Sequence, residues 1–304
     1  MDEEAAARRR PRIREEGMKP PAFAYERPTS VEGALAALAR HGEDAKLLAG
    51  GQSLIAMLNL RLLAPKTLID VNRLKDLDYV RFDGGELAIG ALSRHNTVLR
   101  SRAVAEHCPL LIEAYRFVSH HAIRNRGTLG GNLCHADPAS ELPVVALLLD
   151  ASMVLKSSGG ERRVPAAAFF KGPFETATRP DELLIEVRFP TQPQGQGYAF
   201  DEVSQRHGDF AIAAAGCTLV VEDGVCRAAR LGYGGVGAHA VLVAEAEAAL
   251  AGQQASDESF ARAAAAAAAQ VRPTSDVHAD AAYRRDLVRA LTERVLAAAL
   301  ARCG

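Results

Sequence analysis

Residues 123–143, IRNRGTLGGNLCHADPASELP, constrain this chain more than any other stretch, and the apolar run VVALLLDA follows at once. Gly127, Gly130 and Gly131 free the backbone to take positive φ and to approach a ligand closely. Successive N–H groups in such turns form a concave nest that attracts phosphate. Thr128, Asn132, Asp137, Ser140 and Glu141 add side-chain donors and acceptors at short intervals. A fold built on this stretch must bury the apolar run and keep the glycine segment within reach of a ligand. That describes either an elaborate turn entering the core or an anion-binding loop seated on it. A second glycine-centred segment of similar character, LLAGGQSL at residues 47–54, favours the binding loop.

The 304 residues can bury a large core, and two or three compact units are expected. Thirty-six Lys and Arg against 37 Asp and Glu leave a net charge of -1, which gives no field favouring nucleic acid or an anionic membrane. No apolar run is long enough to span a bilayer. Trp is absent and aromatics make up 5% of residues, too few for a platform that stacks single-stranded nucleic acid. Cys108, Cys134, Cys217, Cys226 and Cys303 are scattered, with no CxxC pair. That fits reduced thiols in a cytoplasm and excludes a close-spaced iron–sulfur ligand set within the chain. Cys134 lies inside the glycine segment but reads as a small buried filler.

Residues 1–17 alternate acidic and basic blocks and are expected to form a disordered extension. No hydrophobic segment follows the arginines at 8–10, so no export signal is read there, and Met18 opens a more protein-like run. Thr29 or Ser30 is expected to cap a helix carrying Val31, Leu35 and Leu38, with His41 and Gly42 ending it. Strands at 45–49 and 66–70 flank a helix at 53–63, which Pro65 stops. A strand at 86–90, a helix at 97–100 and a helical stretch at 103–121 with an interruption at Pro109 follow. Segments at 144–151 and 153–156 bracket a turn, and a strand at 182–189 closes at Pro190. Residues 191–197, TQPQGQG, have linker composition. Beyond them come strands at 198–203, 211–222 and 225–233, the last two forming a hairpin at Asp223–Gly224, and then mostly helix from Ala244. The pattern predicts an α+β chain with a small antiparallel sheet and helices in its C-terminal domain.

Several familiar chemistries are missing. Neither glycine segment has the Gly-Lys-Ser/Thr of a P-loop or the GxGxxG of a Rossmann turn. The nine histidines show no HExxH or comparable zinc spacing, and no GxSxG elbow surrounds Ser53 or Ser140.

The two glycine segments, in this order, resemble those of the FAD-binding medium subunits of the molybdenum hydroxylases. The likeness is to the carbon monoxide dehydrogenase type and, more distantly, to the flavin domain of the xanthine dehydrogenases. It covers nearly everything from Met18 onward: MKPPAFAYERPTSVEGALAAL at 18–38, AGGQSLIAMLNLRL at 49–62, RGTLGGNLCHADPASELP at 126–143, LLIEVRFP at 183–190, RHGDFAIAAAG at 206–216 and SDVHADAAYRRDLVRAL at 275–291. The resemblance implies a two-part FAD-binding domain of the vanillyl-alcohol-oxidase-like (PCMH) type at 18–192, with subdomains of about 18–75 and 76–192, and a C-terminal domain of the carbon monoxide dehydrogenase flavoprotein type at 197–304.

By the same resemblance, Ala49, Gly50, Gly51, Gln52 and Ser53 wrap the FAD pyrophosphate, and Leu47, Leu48 and Leu54 line the cofactor. Thr128, Gly130, Gly131 and Asn132 complete the pyrophosphate and ribityl contacts, Glu141 holds the adenosine ribose, and Leu184 packs near the rings. Val118 and Asp201 stand where the xanthine dehydrogenase branch carries an aromatic and a lysine, so neither of those roles transfers. Tyr198 and Tyr233 are candidates to cover a flavin face, though each reads better as a core or interface tyrosine, and residues 206–209, RHGD, read either as a patch near the cofactor or a domain junction or as a solvated turn. The implied function is electron relay from iron–sulfur clusters through FAD to quinone, NAD or another acceptor. The implied partners are a small 2Fe–2S subunit and a large molybdopterin subunit in a dimer of heterotrimers, in the cytoplasm or at the inner face of the membrane. A stand-alone flavin oxidoreductase and a non-flavin scaffold of the same fold are the rival readings.

Overall fold

The computed structural model describes residues 19–304, so the extension expected at 1–17 lies outside the described residues. The described residues begin with a parallel three-stranded lobe made of β1 (Ala24–Glu26), α1 (Val31–His41), β2 (Ala45–Leu48), α2 (Leu54–Asn59) and β3 (Thr67–Asp70), its strands ordered β1-β3-β2. Ser30 is the cap: its hydroxyl accepts the Gly33 N–H at 3.1 Å. The stripe Ala34, Leu35, Ala37 and Leu38 then buries against Ile69, Val71 and Leu74. Gly42, at φ 53°, turns the chain from α1 toward β2. The helix expected at 53–63 ends four residues early, because Arg61 adopts φ 57° and leaves Leu60 and Leu62 exposed.

A second lobe carries β4 (Val80–Asp83), β5 (Glu86–Gly90), α3 (His95–Leu99), α4 (Arg102–His107), α5 (Pro109–Tyr115), α6 (His121–Arg124), α7 (Leu129–His135) and α8 (Glu141–Leu148). It continues with β6 (Ser152–Ser157), β7 (Gly160–Pro165), α9 (Ala166–Phe169), β8 (Phe170–Gly172), β9 (Glu175–Thr176) and β10 (Leu183–Pro190). Its antiparallel sheet runs β4-β5-β10-β6-β7. Pro109 opens α5 at the position where a missing N–H costs nothing. The glycine segment is not an open loop. Thr128 caps α7 by accepting the Gly131 N–H at 3.1 Å, Ala136 ends that helix at φ 50°, and α8 starts five residues later. Buried Leu129 and Leu133 hold α7 in place despite its two glycines, so packing overrides their poor helix propensity. The hairpin of β6 and β7 was not anticipated, since GERRVP shows little apolar alternation and only Val164 of β7 is fully buried.

The C-terminal unit is an antiparallel sheet of β11 (Gly197–Ser204), β12 (Ala211–Glu222), β13 (Val225–Gly234) and β14 (Val241–Leu242), followed by α10 (Ala244–Leu250), α11 (Asp257–Gln270) and α12 (Ala281–Leu300). Asp223 and Gly224 take φ 51° and 76°, the two-residue turn whose twist matches a hairpin. One face of the sheet packs on the three helices through Ala213, Ala215, Cys217, Leu231 and Tyr233. The opposite face receives α8 of the second lobe. Gly216 and Gly232 pair in register on that face. A Cβ built on Gly216 would lie 2.8 Å from Leu148 Cδ1, and one on Gly232 3.1 Å from Val144 Cγ1. This helix, apolar after its first residue Glu141 and buried at all eight positions, can seat only because these side chains are missing. Gly232→Val therefore overpacks the contact and is expected to cost about 1–3 kcal/mol in urea unfolding. An unchanged midpoint and slope would show that α8 does not need the gap.

Candidate functional site

The two glycine segments meet backbone to backbone. A Cβ on Gly50 would collide with the Arg126 carbonyl oxygen and lie 2.7 Å from Gly127 Cα, so no other residue fits there without moving main chain. One on Gly131 would stand 3.8 Å from Ala49 Cβ, across the same seam. Two side chains fasten the contact. The Asn72 amide donates to the Ala49 carbonyl at 2.7 Å and the Leu48 carbonyl at 3.3 Å, while its own oxygen accepts from Arg94 at 2.7 Å. Arg94 also donates to the Arg126 carbonyl. Behind Asn72, Asp70 accepts from the Asn72 side chain at 2.7 Å and from the Tyr25 hydroxyl. These bonds hold the Asp70 carboxyl below its ordinary value against the opposing effect of burial.

The segments contribute differently. Among the described residues, the N–H groups of Gly50, Gly51, Gln52 and Ser53 donate to no protein acceptor. Gly51 is at φ 73°, a backbone state suited to a concave turn of amides. In the second segment the expected nest is absent. The N–H groups of Leu129, Gly130, Gly131 and Asn132 already donate to Ser93, Ala91, the Thr128 hydroxyl and the Thr128 carbonyl. Nor do Gly127, Gly130 and Gly131 take positive φ. They are small because neighbours are close: a Cβ would meet the His95 ring at 2.6 Å from Gly127 and the Ala91 carbonyl at 2.7 Å from Gly130. His95 is buried beneath this contact with its Nδ1 3.4 Å from the Tyr115 hydroxyl, and burial pushes its pKa down to about 4.

Ala49 and Gly50 thus meet Arg126, Gly127 and Gly131 across the seam. Gly51, Gln52 and Ser53 follow in the first segment, and Thr128, Gly130 and Asn132 lie in the second, with Gly130 against Ala91. Leu47, Leu48 and Leu54 flank the first segment and are half-buried. Leu184, on the strand β10 against which α7 packs, is 4% exposed in the core of the second lobe and pairs with Leu155 on β6. Glu141 opens α8, 5% exposed. It connects back to the seam through the Ser140 hydroxyl, 3.5 Å from its carboxyl and 2.9 Å from Asn132 Oδ1. Burial, with Asp137 nearby, pushes Glu141 up to about 7. Cys134 is half-buried, and burial raises its thiol to about 12, which makes it a packed filler. Tyr233 is fully buried on the helical side of the C-terminal sheet, 2.9 Å from Thr292 Oγ1, and has no access to the seam. Residues 206–209 lie at a domain junction: a Cβ on Gly208 would touch the His120 ring at 2.6 Å, and His207 stacks on Phe117.

The sequence reading missed Glu202. Strand alternation turns Asp201 away from the second lobe, to Arg294 at 2.6 Å, and turns Glu202 toward it. Burial, then Glu141 and Asp201, push the Glu202 carboxyl up to about 9. The signal was the period-two pattern Phe200–Asp201–Glu202, which places Glu202 on the face of the buried Phe200.

A family model for the FAD-binding domain in molybdopterin dehydrogenase matches residues 21–192, and one for the CO dehydrogenase flavoprotein C-terminal domain matches 198–299. The chain belongs to this family of FAD-binding molybdopterin dehydrogenase subunits. The alpha subunit of the 6-hydroxypseudooxynicotine dehydrogenase complex of Paenarthrobacter nicotinovorans is 44% identical over 94% of this chain and 97% of that relative. The carbon monoxide dehydrogenase medium chain of Hydrogenophaga pseudoflava is 36% identical over 94% of this chain and the whole of that one. A solved carbon monoxide dehydrogenase from the same organism superposes with a TM-score of 0.91 at 37% identity, covering 94% of this chain and 99% of that chain. The mixed α+β architecture, with an FAD-binding domain and a flavoprotein C-terminal domain, is that of these relatives.

The acid pair has a thermodynamic consequence. An unfolded chain releases these carboxyl protons near the ordinary 4.5, while the folded chain keeps them to about 7 at Glu141 and about 9 at Glu202. Between those values the folded state binds more protons, so stability falls as pH rises. The cofactor-free chain is expected to melt at a lower temperature at pH 9 than at pH 7, with a smaller drop in Glu202→Gln. Equal drops in the two proteins would contradict this.

Proposed function

We propose that this chain holds FAD across the glycine seam and serves as the electron-relay subunit of a molybdenum hydroxylase complex. The observation that carries the reading is the row of unpaired amides at Gly50–Ser53, facing a segment whose side chains are trimmed to glycine. Amides without acceptors suit the two phosphates of a dinucleotide, and the absence of Cβ atoms lets backbone reach them. In this reading Ala49, Gly50, Gly51, Gln52 and Ser53 bind the pyrophosphate. Leu47, Leu48 and Leu54 exclude water from the cofactor, and Leu184 supports its ring region from the core. On the far side, Thr128 and Asn132 supply side-chain contacts while Gly130 and Gly131 supply clearance. Glu141 accepts from the adenosine ribose.

Bound FAD supplies exchange between one-electron and two-electron carriers, which links iron–sulfur clusters to quinone, NAD or another acceptor. The chain's own part is to fix the cofactor and shield it. Among the described residues no group of three or more His, Cys, Asp or Glu side chains is placed to hold a metal ion. In the proposed complex the 2Fe–2S clusters sit on a small subunit and molybdopterin on a large one, with two such heterotrimers associated. No helix of the described residues is long and apolar enough to cross a membrane.

The purified chain is expected to be yellow, to release one FAD on denaturation, and to bring down two further chains identifiable by mass spectrometry. Turnover of a small substrate by the isolated chain would favour the stand-alone enzyme, and a colourless preparation that takes up no FAD would favour the scaffold. Gly50→Ala, whose Cβ meets main chain rather than a flexible side chain, is expected to weaken FAD affinity by about tenfold or more, roughly 1.4 kcal/mol. Fluorescence titration with FAD checks this, and wild-type affinity in the variant would remove the seam from the site.

A further inference from the structure

The C-terminal sheet delivers an unpartnered acid to the edge of the proposed cofactor site. Glu202 is 9% exposed, and its Oε2 has no hydrogen-bond partner among the described residues. Its place follows from register. Glu202 pairs with Ala214 on β12, and Ala214 with Gly234 on β13. A Cβ on Gly234 would lie 3.0 Å from Val144 Cγ2 and 3.5 Å from the Ser140 carbonyl, so this row of the sheet runs beneath the first turn of α8, where Glu141 stands. Among the described residues no cation answers the pair: Arg294 is bound to Asp201 on the opposite face, and the other titratable groups near Glu141 are Asp137 and Tyr115.

We propose that Glu202 is the second carboxyl of the adenosine subsite, closing with Glu141 on the vicinal diol of the FAD ribose, an inference that rests on the FAD reading above. Two buried carboxyls without a counter-ion repel anions and are left unsatisfied by an apolar group. A neutral partner with two adjacent O–H donors satisfies both, and one retained proton between the acids removes their repulsion. The ribityl chain and the adenosine ribose of FAD both carry adjacent hydroxyls; because Glu141 is the acid read for the adenosine ribose, the Glu202 beside it is placed on that diol. Glu202 comes from the C-terminal domain, so the cofactor would be gripped by both domains rather than by the FAD-binding domain alone.

The test compares the full chain's affinity for FAD with that for an FAD analogue whose adenosine ribose lacks both hydroxyls, by flavin fluorescence. Wild type is expected to prefer FAD, and Glu202→Leu to narrow that preference by about tenfold, the scale of one hydrogen bond to an acid. Glu202→Gln, which keeps a neutral hydrogen-bonding group, should retain most of it. A Glu202→Leu chain with the wild-type preference overturns the proposal, as does one that weakens FAD and analogue equally, since that signals damage to the domain contact. Wild type that binds neither flavin overturns the FAD reading itself, an outcome distinct from both.

Discussion

The contact between Gly50 and the Arg126–Gly127 peptide is the constraint on which the proposed site depends. It joins a parallel lobe to an antiparallel one at a point where neither has a side chain to spare. A glycine doublet after a buried parallel strand is common enough; here the first glycine is required by main chain arriving from another lobe. Asn72 and Arg94 then convert proximity into fixed geometry, because each bonds a carbonyl of one glycine segment and the two bond each other. While these carbonyl groups are taken up by the staple, the Gly50–Ser53 amides donate to no protein acceptor among the described residues.

The same economy of side chains recurs between the second lobe and the C-terminal sheet. Gly216 and Gly232 give α8 room to lie flat on β12 and β13, and its first turn then rests over the row of Glu202, Ala214 and Gly234. The apolar burial of α8 and the placement of its acidic first residue are one event. Sliding the helix to relieve crowding at Leu148 would also move Glu141. A packing requirement is thereby coupled to the geometry of a polar site, and rigid cores transmit such coupling with little loss.

Much of this was legible in the sequence where the determinants are local. Ser30 with its apolar stripe, Pro109 at a helix start and Asp223–Gly224 between two strands each carry their own instructions. The helical state of residues 129–135 was not legible, because two glycines argue against it and only buried Leu129 and Leu133 impose it. At Gly127 and Gly130 the sequence suggests positive φ and close approach to a ligand; neither takes positive φ, and the close neighbours are His95 and Ala91 of the protein itself, distant in sequence. The resemblance transfers no role to Asp201 and says nothing of its neighbour, whereas strand parity turns Asp201 toward Arg294 and gives the inward place to Glu202. Residue matching alone does not carry the direction in which a side chain points.

These features bear on why an FAD-binding subunit of this family is built in three pieces. In the proposed site, backbone donors come from the first lobe, clearance and side-chain donors from the second, and an acid from the C-terminal sheet. No single piece offers a complete subsite, so a ligand bound across them stabilises their association by the logarithm of its concentration over its dissociation constant. An acid pair without a counter-ion opposes that association in the free chain and ceases to oppose it once a diol supplies the missing donors. Cofactor binding and domain docking would then reinforce each other, and loss of the cofactor would loosen first the C-terminal domain's hold on α8.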